Sequence, residues 1–342
     1  GQAMFNDVGI IATTRTKEDG SVEAGFRVFI AGGLGANPHA ALALEPFTAR
    51  EDLLPTIESV LRVFEQTGNR DNKLRARMKW VVDNLGFDEV QRRVLATRRF
   101  LLGSSSWPGG IPAAVLAAGD APAGAEGTVT DMGQGTPVVL RRPGALSRWE
   151  DSNVIRGAAK GTVSAIAHAR LGDVTAEQFR GLASIVREFG VDVRVTNRQN
   201  FALRNLAEDQ LSALFDRLSA LDMASPSAEL VSDVVACPGA DTCNLAVTQS
   251  RGLADAIGTA LENEGLAEVG GLRINISGCT NSCGQHHVAD IGFHGAERRA
   301  HGKSAPGYTM LLGGFVGDAR IEFGERATRL PAKAAPEAVV RV

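Results

Sequence analysis

The densest chemistry in this 342-residue sequence is carried by four cysteines, all lying between positions 237 and 283. They read Cys237-Pro-Gly-Ala-Asp-Thr-Cys243 and, after thirty-five intervening residues, Cys279-Thr-Asn-Ser-Cys283. Structural zinc sites favour C-x2-C knuckles, whose short turn sets a tetrahedral bite. The wider C-x5-C and C-x3-C spacings suit an iron–sulfur cluster, whose thiolates bind different iron corners. Gly278 and Gly284 flank the second pair, where backbone can come close to an inorganic group. Two disulfides, a structural zinc and four unrelated buried thiols are the competing readings.

The elements that must position these sulfurs follow from periodicity. Apolar runs over 230–235 and 272–277 read as strands leading into the two cysteine pairs, with further strands over 288–292 and 308–312. A long helix is expected over 241–264, placing Cys243 in its first turn, where free N–H groups favour anionic sulfur. Upstream, residues 150–225 form a compact unit. It has strands over 162–170, 191–196 and 201–206 and a helix opened by Thr175 with Gln178 and closed by Gly190. Leu211, Leu214, Phe215, Leu218 and Leu221 stripe a second helix, and the order strand–helix–strand–strand–helix is most of a ferredoxin-like unit.

Residues 8–12 read as a strand without an upstream partner, and 25–31 as a strand running into the turn Gly32-Gly33-Leu34-Gly35. Thr48 with Glu51 has capping-box spacing ahead of an apolar-striped helix, although Pro55 is awkward inside it. Helices over 72–84 and 87–101 follow, and their Lys/Arg rows are expected to be solvated faces. Pro, Gly and Ala crowd 103–143, which marks a linker. The final residues, 331–342, close no element in this reading.

Composition removes other classes. Hydrophobic and charged fractions of 44% and 22% are those of a globular chain, and 36 Lys+Arg against 39 Asp+Glu leave no basic footprint for nucleic acid. No apolar run approaches the roughly 18 residues of a membrane span. No secretory signal is readable, so a cytoplasmic location is expected.

Cys237-Pro-Gly-Ala-Asp-Thr-Cys243-Asn-Leu-Ala and Gly278-Cys279-Thr-Asn-Ser-Cys283-Gly-Gln-His-His-Val-Ala-Asp-Ile-Gly-Phe resemble the signature of the assimilatory sirohaem nitrite and sulfite reductases. Residues 25–35, Gly68-Asn69-Arg70 and Trp107-Pro108-Gly109-Gly110-Ile111-Pro112 also look familial. The resemblance implies a [4Fe-4S] cluster on Cys237, Cys243, Cys279 and Cys283, with Cys283 bridging to the sirohaem iron as its axial ligand. It implies six-electron reduction of nitrite to ammonia, or of sulfite to sulfide, with electrons from a ferredoxin or similar small donor. Ser282-Cys283-Gly284-Gln285 with Ala289-Asp290-Ile291-Gly292-Phe293 leans towards the nitrite, ferredoxin-type members. Sulfite as the main substrate, or a non-catalytic iron–sulfur electron carrier, are the alternatives.

Arg198, Gln199 and Asn200 resemble the family stretch that reaches the sirohaem carboxylates, with an ordinary polar turn as the competing reading. The spacing of Gly32-Gly33-Leu34-Gly35 is not a dinucleotide fingerprint; the resemblance implies that Gly32 and Gly33 bring backbone close to the cofactor. Asn37 and His39 are either pocket residues or a loop cap, Arg70 sits at a helix entrance, and His286 and His287 read as packing residues behind the cluster ligands. By resemblance, the Arg and Lys residues that clamp the substrate anion belong to an N-terminal half upstream of Val8, so no catalytic residue is assigned here.

The fold expected is therefore α+β, a ferredoxin-like half-domain with α/β sirohaem and iron–sulfur domains. Residues 1–102 would be the remainder of a first sirohaem-type α+β domain and 103–147 a linker. Residues 148–225 would be the ferredoxin-like half-domain and 226–342 the [4Fe-4S]/sirohaem-binding domain.

Overall fold

The computed structural model describes residues 2–104, 144–156, 161–300, 302–317 and 320–342. The segment Trp107 to Pro112 and nearly all of the expected linker lie outside the described residues. The chain divides into two compact units, Gly1–Ala123 with Val316–Glu322, and Gly124–Phe315 with Phe323–Val342.

In the first unit, β1 (Val8–Thr16) and β2 (Val22–Ile30) form an antiparallel hairpin, with Val8 opposite Ile30. The strand at Val8 thus finds its partner downstream. The short strands β3 (Leu42–Ala43) and β4 (Thr48–Ala49) both pair with β2. Three helices, α1 (Leu53–Thr67), α2 (Met78–Leu85) and α3 (Phe87–Leu102), share a core with the sheet built on Val28, Ile30, Leu44, Val60, Val63, Val90 and Val94. Val316 and Ile321 pack on Met4, Phe29 and Ala41.

Two expectations fail in this unit. The Thr48/Glu51 capping box does not form, because Thr48 lies in β4 and donates its hydroxyl to Glu45 Oε1 at 2.6 Å. Helix α1 instead starts after Asp52, and Pro55 falls in its first turn, where a missing N–H leaves no intrahelical bond unmade. The Lys/Arg rows are not all solvated either. Lys79 is 4% exposed and donates to the carbonyls of Leu34 (3.0 Å) and Asn37 (2.5 Å). Arg98 is largely buried against Glu45, and Arg77 pairs with Asp7 at 2.7 Å. Turn carbonyls and a buried carboxylate need donors, and these cations supply them.

The second unit has two cores. The first begins with α4 (Ala145–Asn153) and continues through β5 (Val154–Arg156), β6 (Thr162–Ala167), α5 (Ala176–Phe189), β7 (Asp192–Val195), β8 (Phe201–Ala207) and α6 (Leu211–Ser219). The sheet runs β5-β6-β8-β7, antiparallel throughout, under Trp149, Leu203, Leu206, Leu214 and Leu218. Helix α5 opens with both bonds of the Thr175/Gln178 capping box and closes on Gly190 at φ 65°. β6 stops at Ala167, short of the expected 170.

The second core is a five-stranded sheet with a helix between its first two strands. In chain order these are β9 (Val235–Ala236), α7 (Ser250–Asn263), β10 (Ile274–Ser277), β11 (Ile291–Ala300), β12 (Lys303–Leu312) and β13 (Glu325–Pro331), followed by α8 (Ala335–Arg341). The spatial order is β13-β12-β11-β10-β9, with β9 and β11 both parallel to β10. Ile257, Leu261, Ile274, Ile276, Phe293, Tyr308 and Val339 fill the core.

Three expectations change here. The strand over 230–235 shrinks to Val235–Ala236, the helix over 241–264 begins only at Ser250, and the end of the chain is the helix α8 rather than an open tail. Residues 239–249 are drawn instead into a loop whose amides bond across the site, as described next.

Candidate metal centre

Both cysteine pairs leave the carboxyl ends of adjacent parallel strands, where sites in open α/β sheets belong. Cys237 directly follows β9, and its N–H donates to Ile276 O at 3.1 Å, extending the pairing with β10. The chain then turns through Gly239 (φ 62°), and the Cys243 N–H donates back to Gly239 O at 3.0 Å. Cys243 is therefore a loop residue, not part of a helical first turn. The loop is tied to the second pair through Gly278 O, which accepts from Val247 N at 2.9 Å and from the Thr248 hydroxyl at 3.4 Å. A Cβ on Gly278 would lie 2.9 Å from Gly239 Cα, Ala246 Cβ and Thr248 O, so only glycine permits this approach.

The second pair follows β10 at Ser277. Gly278 N–H donates to Cys237 Sγ at 3.2 Å, so one loop supplies a hydrogen bond to a sulfur of the other. Around Cys283 the backbone is held in an uncommon shape. Ser282 (φ 63°) and Gln285 (φ 60°) are both left-handed without being glycine, and Gln285 N closes the turn on Ser282 O at 2.9 Å. Such residues cost on the order of 1 kcal/mol or more each and persist where the surroundings over-determine them. Those surroundings are buried: Gly284 N–H donates to Ser277 Oγ at 3.0 Å, and Ser277 Oγ lies 2.9 Å from His286 Nδ1. Asn275 Nδ2 reaches Gln285 O at 3.3 Å.

The electrostatics bring the four sulfurs into one neighbourhood. All four cysteines are free of disulfides; Cys237 and Cys279 are half-buried, and Cys243 and Cys283 are exposed. Partial burial pushes the Cys283 thiol up, and the charges of Cys237, Cys279 and Cys243 push it further in the same direction. Four thiolates here repel one another unless positive charge sits among them. Among the described residues, however, no three His, Cys, Asp or Glu side chains converge closely enough to hold a single metal ion. Four free thiols on two loops joined by the Gly278 N–H to Cys237 Sγ bond make one all-sulfur neighbourhood, the donor chemistry of an iron–sulfur cluster.

Behind the ligands, His286 is fully buried and its ring is 4.2 Å from that of His287 and 5.0 Å from that of His294. Burial first, then these two neighbours, depress His286 to a pKa of about 2, so it is a neutral packing residue.

The other expected cofactor residues are engaged differently. Arg198 Nε donates to Asp233 Oδ2 at 2.8 Å, and its Nη2 to the Asp233 carbonyl. Asn200 donates from Nδ2 to Asp233 Oδ1 at 3.0 Å and accepts from Ala169 N at 2.9 Å. Gln199 brackets Ala236, donating to its carbonyl at 2.9 Å and accepting from its amide at 3.3 Å. These three side chains clamp residues 233–236, immediately before Cys237. In the other unit, Gly33 exchanges both backbone bonds with His39, at 2.9 and 2.7 Å, and Gly32 O accepts from Arg77. Cβ atoms on Gly32 and Gly33 would strike Asn6 O and the Arg77 guanidinium, so close protein packing accounts for both glycines. His39 caps its loop through Asn37 O and Asp83, and Arg70 lies over Phe64.

Sequence reasoning missed Ser250, Thr248, Ser277 and Asp233. Asp233 had a signal, a lone acid within the apolar stretch 231–235. The three hydroxyls had none, because their partners lie 7 to 30 residues away.

Comparison with known proteins agrees with this geometry. Residues 156–221 match the nitrite/sulfite reductase ferredoxin-like half domain. A ferredoxin–nitrite reductase of Synechococcus elongatus is 28% identical over 334 residues, covering 95% of this chain and 57% of that protein. An assimilatory ferredoxin-dependent nitrite reductase of Haloferax mediterranei is 26% identical over 344 residues, 99% of this chain and 54% of that protein. The chain thus spans little more than half the length of these relatives. The solved structure of the Mycobacterium tuberculosis NirA protein superposes with a TM-score of 0.74 at 23% identity, covering 99% of this chain and 56% of that one, which establishes the shared fold. Among the described residues no helix is long and apolar enough to cross a membrane. Residues 1–99 and 227–341, well over half of the sequence, match the nitrite and sulphite reductase 4Fe-4S domain, and the chain belongs to that family.

Proposed function

We propose that Cys237, Cys243, Cys279 and Cys283 hold a [4Fe-4S] cluster, and that the chain serves a cytoplasmic, ferredoxin-dependent reduction of nitrite to ammonia. The observation that carries this reading is the donor set: four free sulfurs on two loops that leave adjacent parallel strands and whose charges act on one another. The exposure of Cys283 leaves its sulfur open to a second iron, which suits the axial, bridging role the resemblance implies. Sirohaem coupled to such a cluster supplies successive one-electron steps at an iron that can bind the anion.

This chain's own residues do the positioning. Gly278 N–H holds the Cys237 sulfur, the Ser282–Gln285 turn presents Cys283, and Arg198, Gln199 and Asn200 fix the strand that delivers Cys237. By the same proposal Arg198, Gln199, Asn200, Gly32 and Gly33 lie along the sirohaem, and the protein bonds that Arg198, Gln199 and Asn200 make to residues 233–236 would hold them in place for it. The domain assignment that goes with the proposal is 1–102, 148–225 and 226–342, with 103–147 as linker; the matched family segments support it.

Anaerobically purified protein should contain acid-labile sulfide and an equal amount of iron, with additional iron where sirohaem is also bound. Zinc alone in the four-cysteine site would overturn the reading. Steady-state turnover of the full-length enzyme, with the half that carries the anion clamp, should favour nitrite over sulfite with reduced ferredoxin; a preference for sulfite would overturn the substrate assignment.

A further inference from the structure

Ser250 is fully buried at the first position of α7, beside the first ligand loop. Its hydroxyl oxygen lies 2.7 Å from the carbonyl oxygen of Cys237 and 3.3 Å from the Cys237 sulfur. A hydroxyl has one proton and a carbonyl only accepts, so that proton goes to the carbonyl at the shorter distance. Cys237 can then donate its own S–H to the Ser250 oxygen.

Iron ligation changes this count. A cysteine bound to iron has no S–H proton, so the Ser250 proton is the one left between two acceptors. One acceptor is a neutral carbonyl and the other an anionic sulfur. Hydrogen bonds to an ionised partner are roughly twice as strong as neutral ones, and the sulfur becomes more negative when the cluster gains an electron.

Resting on the cluster reading above, we propose that Ser250 is a charge-responsive positioning residue. Its hydroxyl donates to the Cys237 carbonyl in the oxidised centre and turns to the Cys237 sulfur in the reduced one. No covalent bond changes and no proton is transferred. The electron comes from an external one-electron donor and stays on the cluster, while one O–H rotates between two acceptors.

The surroundings single Ser250 out. The Cys237 sulfur has both a backbone donor and the Ser250 hydroxyl within hydrogen-bond distance. Its other partner, Gly278 N–H, is backbone and cannot turn away. Nearby hydroxyls are committed elsewhere, Thr248 to Gly278 O at 3.4 Å and Tyr308 to Gln249 O at 3.0 Å. Gly239 keeps the space open, because a Cβ on this left-handed residue would collide with the Ser250 hydroxyl.

The test uses the whole cluster-loaded protein. Iron and acid-labile sulfide are measured first; their absence from the wild type overturns the cluster reading itself. The reduced protein is then compared in H2O and D2O by proton hyperfine spectroscopy, and its reduction potential is titrated. The wild type should show one exchangeable proton coupling more than Ser250→Ala. Ser250→Ala should titrate at lower potential, and Ser250→Thr, which keeps the hydroxyl, should move back towards the wild type. If a fully loaded Ser250→Ala retains both the wild-type potential and the wild-type couplings, the inference fails while the cluster reading stands. If Ser250→Ala does not fold, the wild type decides alone: no exchangeable hydroxyl coupling in the reduced state overturns the proposal.

Discussion

Replacing Asp233 by Asn should loosen the strand that delivers Cys237. The Asp233 side chain is 5% exposed and that of its partner Arg198 11%, so the pair is nearly dry. The carboxylate takes Arg198 Nε at 2.8 Å and Asn200 Nδ2 at 3.0 Å. An amide in its place cannot accept on both sides, so one charge-assisted bond of roughly 1.5–3 kcal/mol is lost. Arg198 is also left buried without a counter-ion, for which losses of about 3–5 kcal/mol are typical. Arg198 keeps its bond to the Asp233 carbonyl, which favours the lower end, about 3 kcal/mol. At about 1.4 kcal/mol per decade, opening of this segment becomes on the order of a hundredfold more frequent. Hydrogen exchange reads that directly at the amides of Ala236 and Cys237, which bond to Gln199 Oε1 and Ile276 O. Protection should fall by about that factor there and remain unchanged in α1 of the other unit. The double variant Arg198→Met with Asp233→Asn should cost clearly less than the two single changes summed, since no charge is then stranded. A loss of protection below about tenfold, or strict additivity, would refute the clamp.

Three other perturbations have defined outcomes. His286 is held at a pKa of about 2, below its unfolded value near 6.5, so the unfolded chain binds the extra proton. Its contribution to stability is complete above pH 6.5 and declines by up to about 1.4 kcal/mol per pH unit as the pH falls towards 2; His286→Gln should flatten that slope in thermal unfolding at graded pH. Gly278→Ala puts a Cβ 2.9 Å from Gly239 Cα and Thr248 O, forcing the two ligand loops apart. Its iron content should drop steeply while circular dichroism stays near that of the wild type, and full iron content would contradict the packing account. Lys79→Met leaves the carbonyls of Leu34 and Asn37 unpaired, which should cost about 2 kcal/mol and lower the melting temperature of the first unit by several degrees. An unchanged melting temperature would mean that those carbonyls find other partners.

The spacing of the cysteine pairs, the strand before the second pair and the Thr175–Gly190 helix were readable because each is specified by neighbours within a few residues. Thr175 finds Gln178 three positions away, and its cap forms as the spacing requires. Residues 241–249 failed for the opposite reason. Their composition is compatible with helix, but Val247 and Ala240 bond to Gly278 and Thr248, and those tertiary bonds outweigh the weak local preference. The run Arg198-Gln199-Asn200 illustrates the same limit. Three polar side chains between two strands read as donors, but their partners Asp233 and Ala236, more than thirty residues on, could not be read from the run itself. Lys79 read as a solvated lysine because the carbonyls it serves lie more than forty residues earlier. Long-range satisfaction of buried polar groups is the information a single sequence conceals.

The parallel pairing of β9 with β10 bears on the order in which the centre is assembled. Cys237 and Cys279 meet only once residues 235–236 and 275–276 lie side by side, and α7 forms the crossover between them. Parallel pairing closes a long loop before it yields contacts, so this is among the slower steps of folding. The apolar core that rewards it, with Ile257, Ile274, Ile276 and Phe293, contains none of the four sulfurs. For the cluster proposed above, the sheet's own apolar packing would then be the scaffold and the metal its cargo, unlike a zinc finger, whose fold waits for its ion.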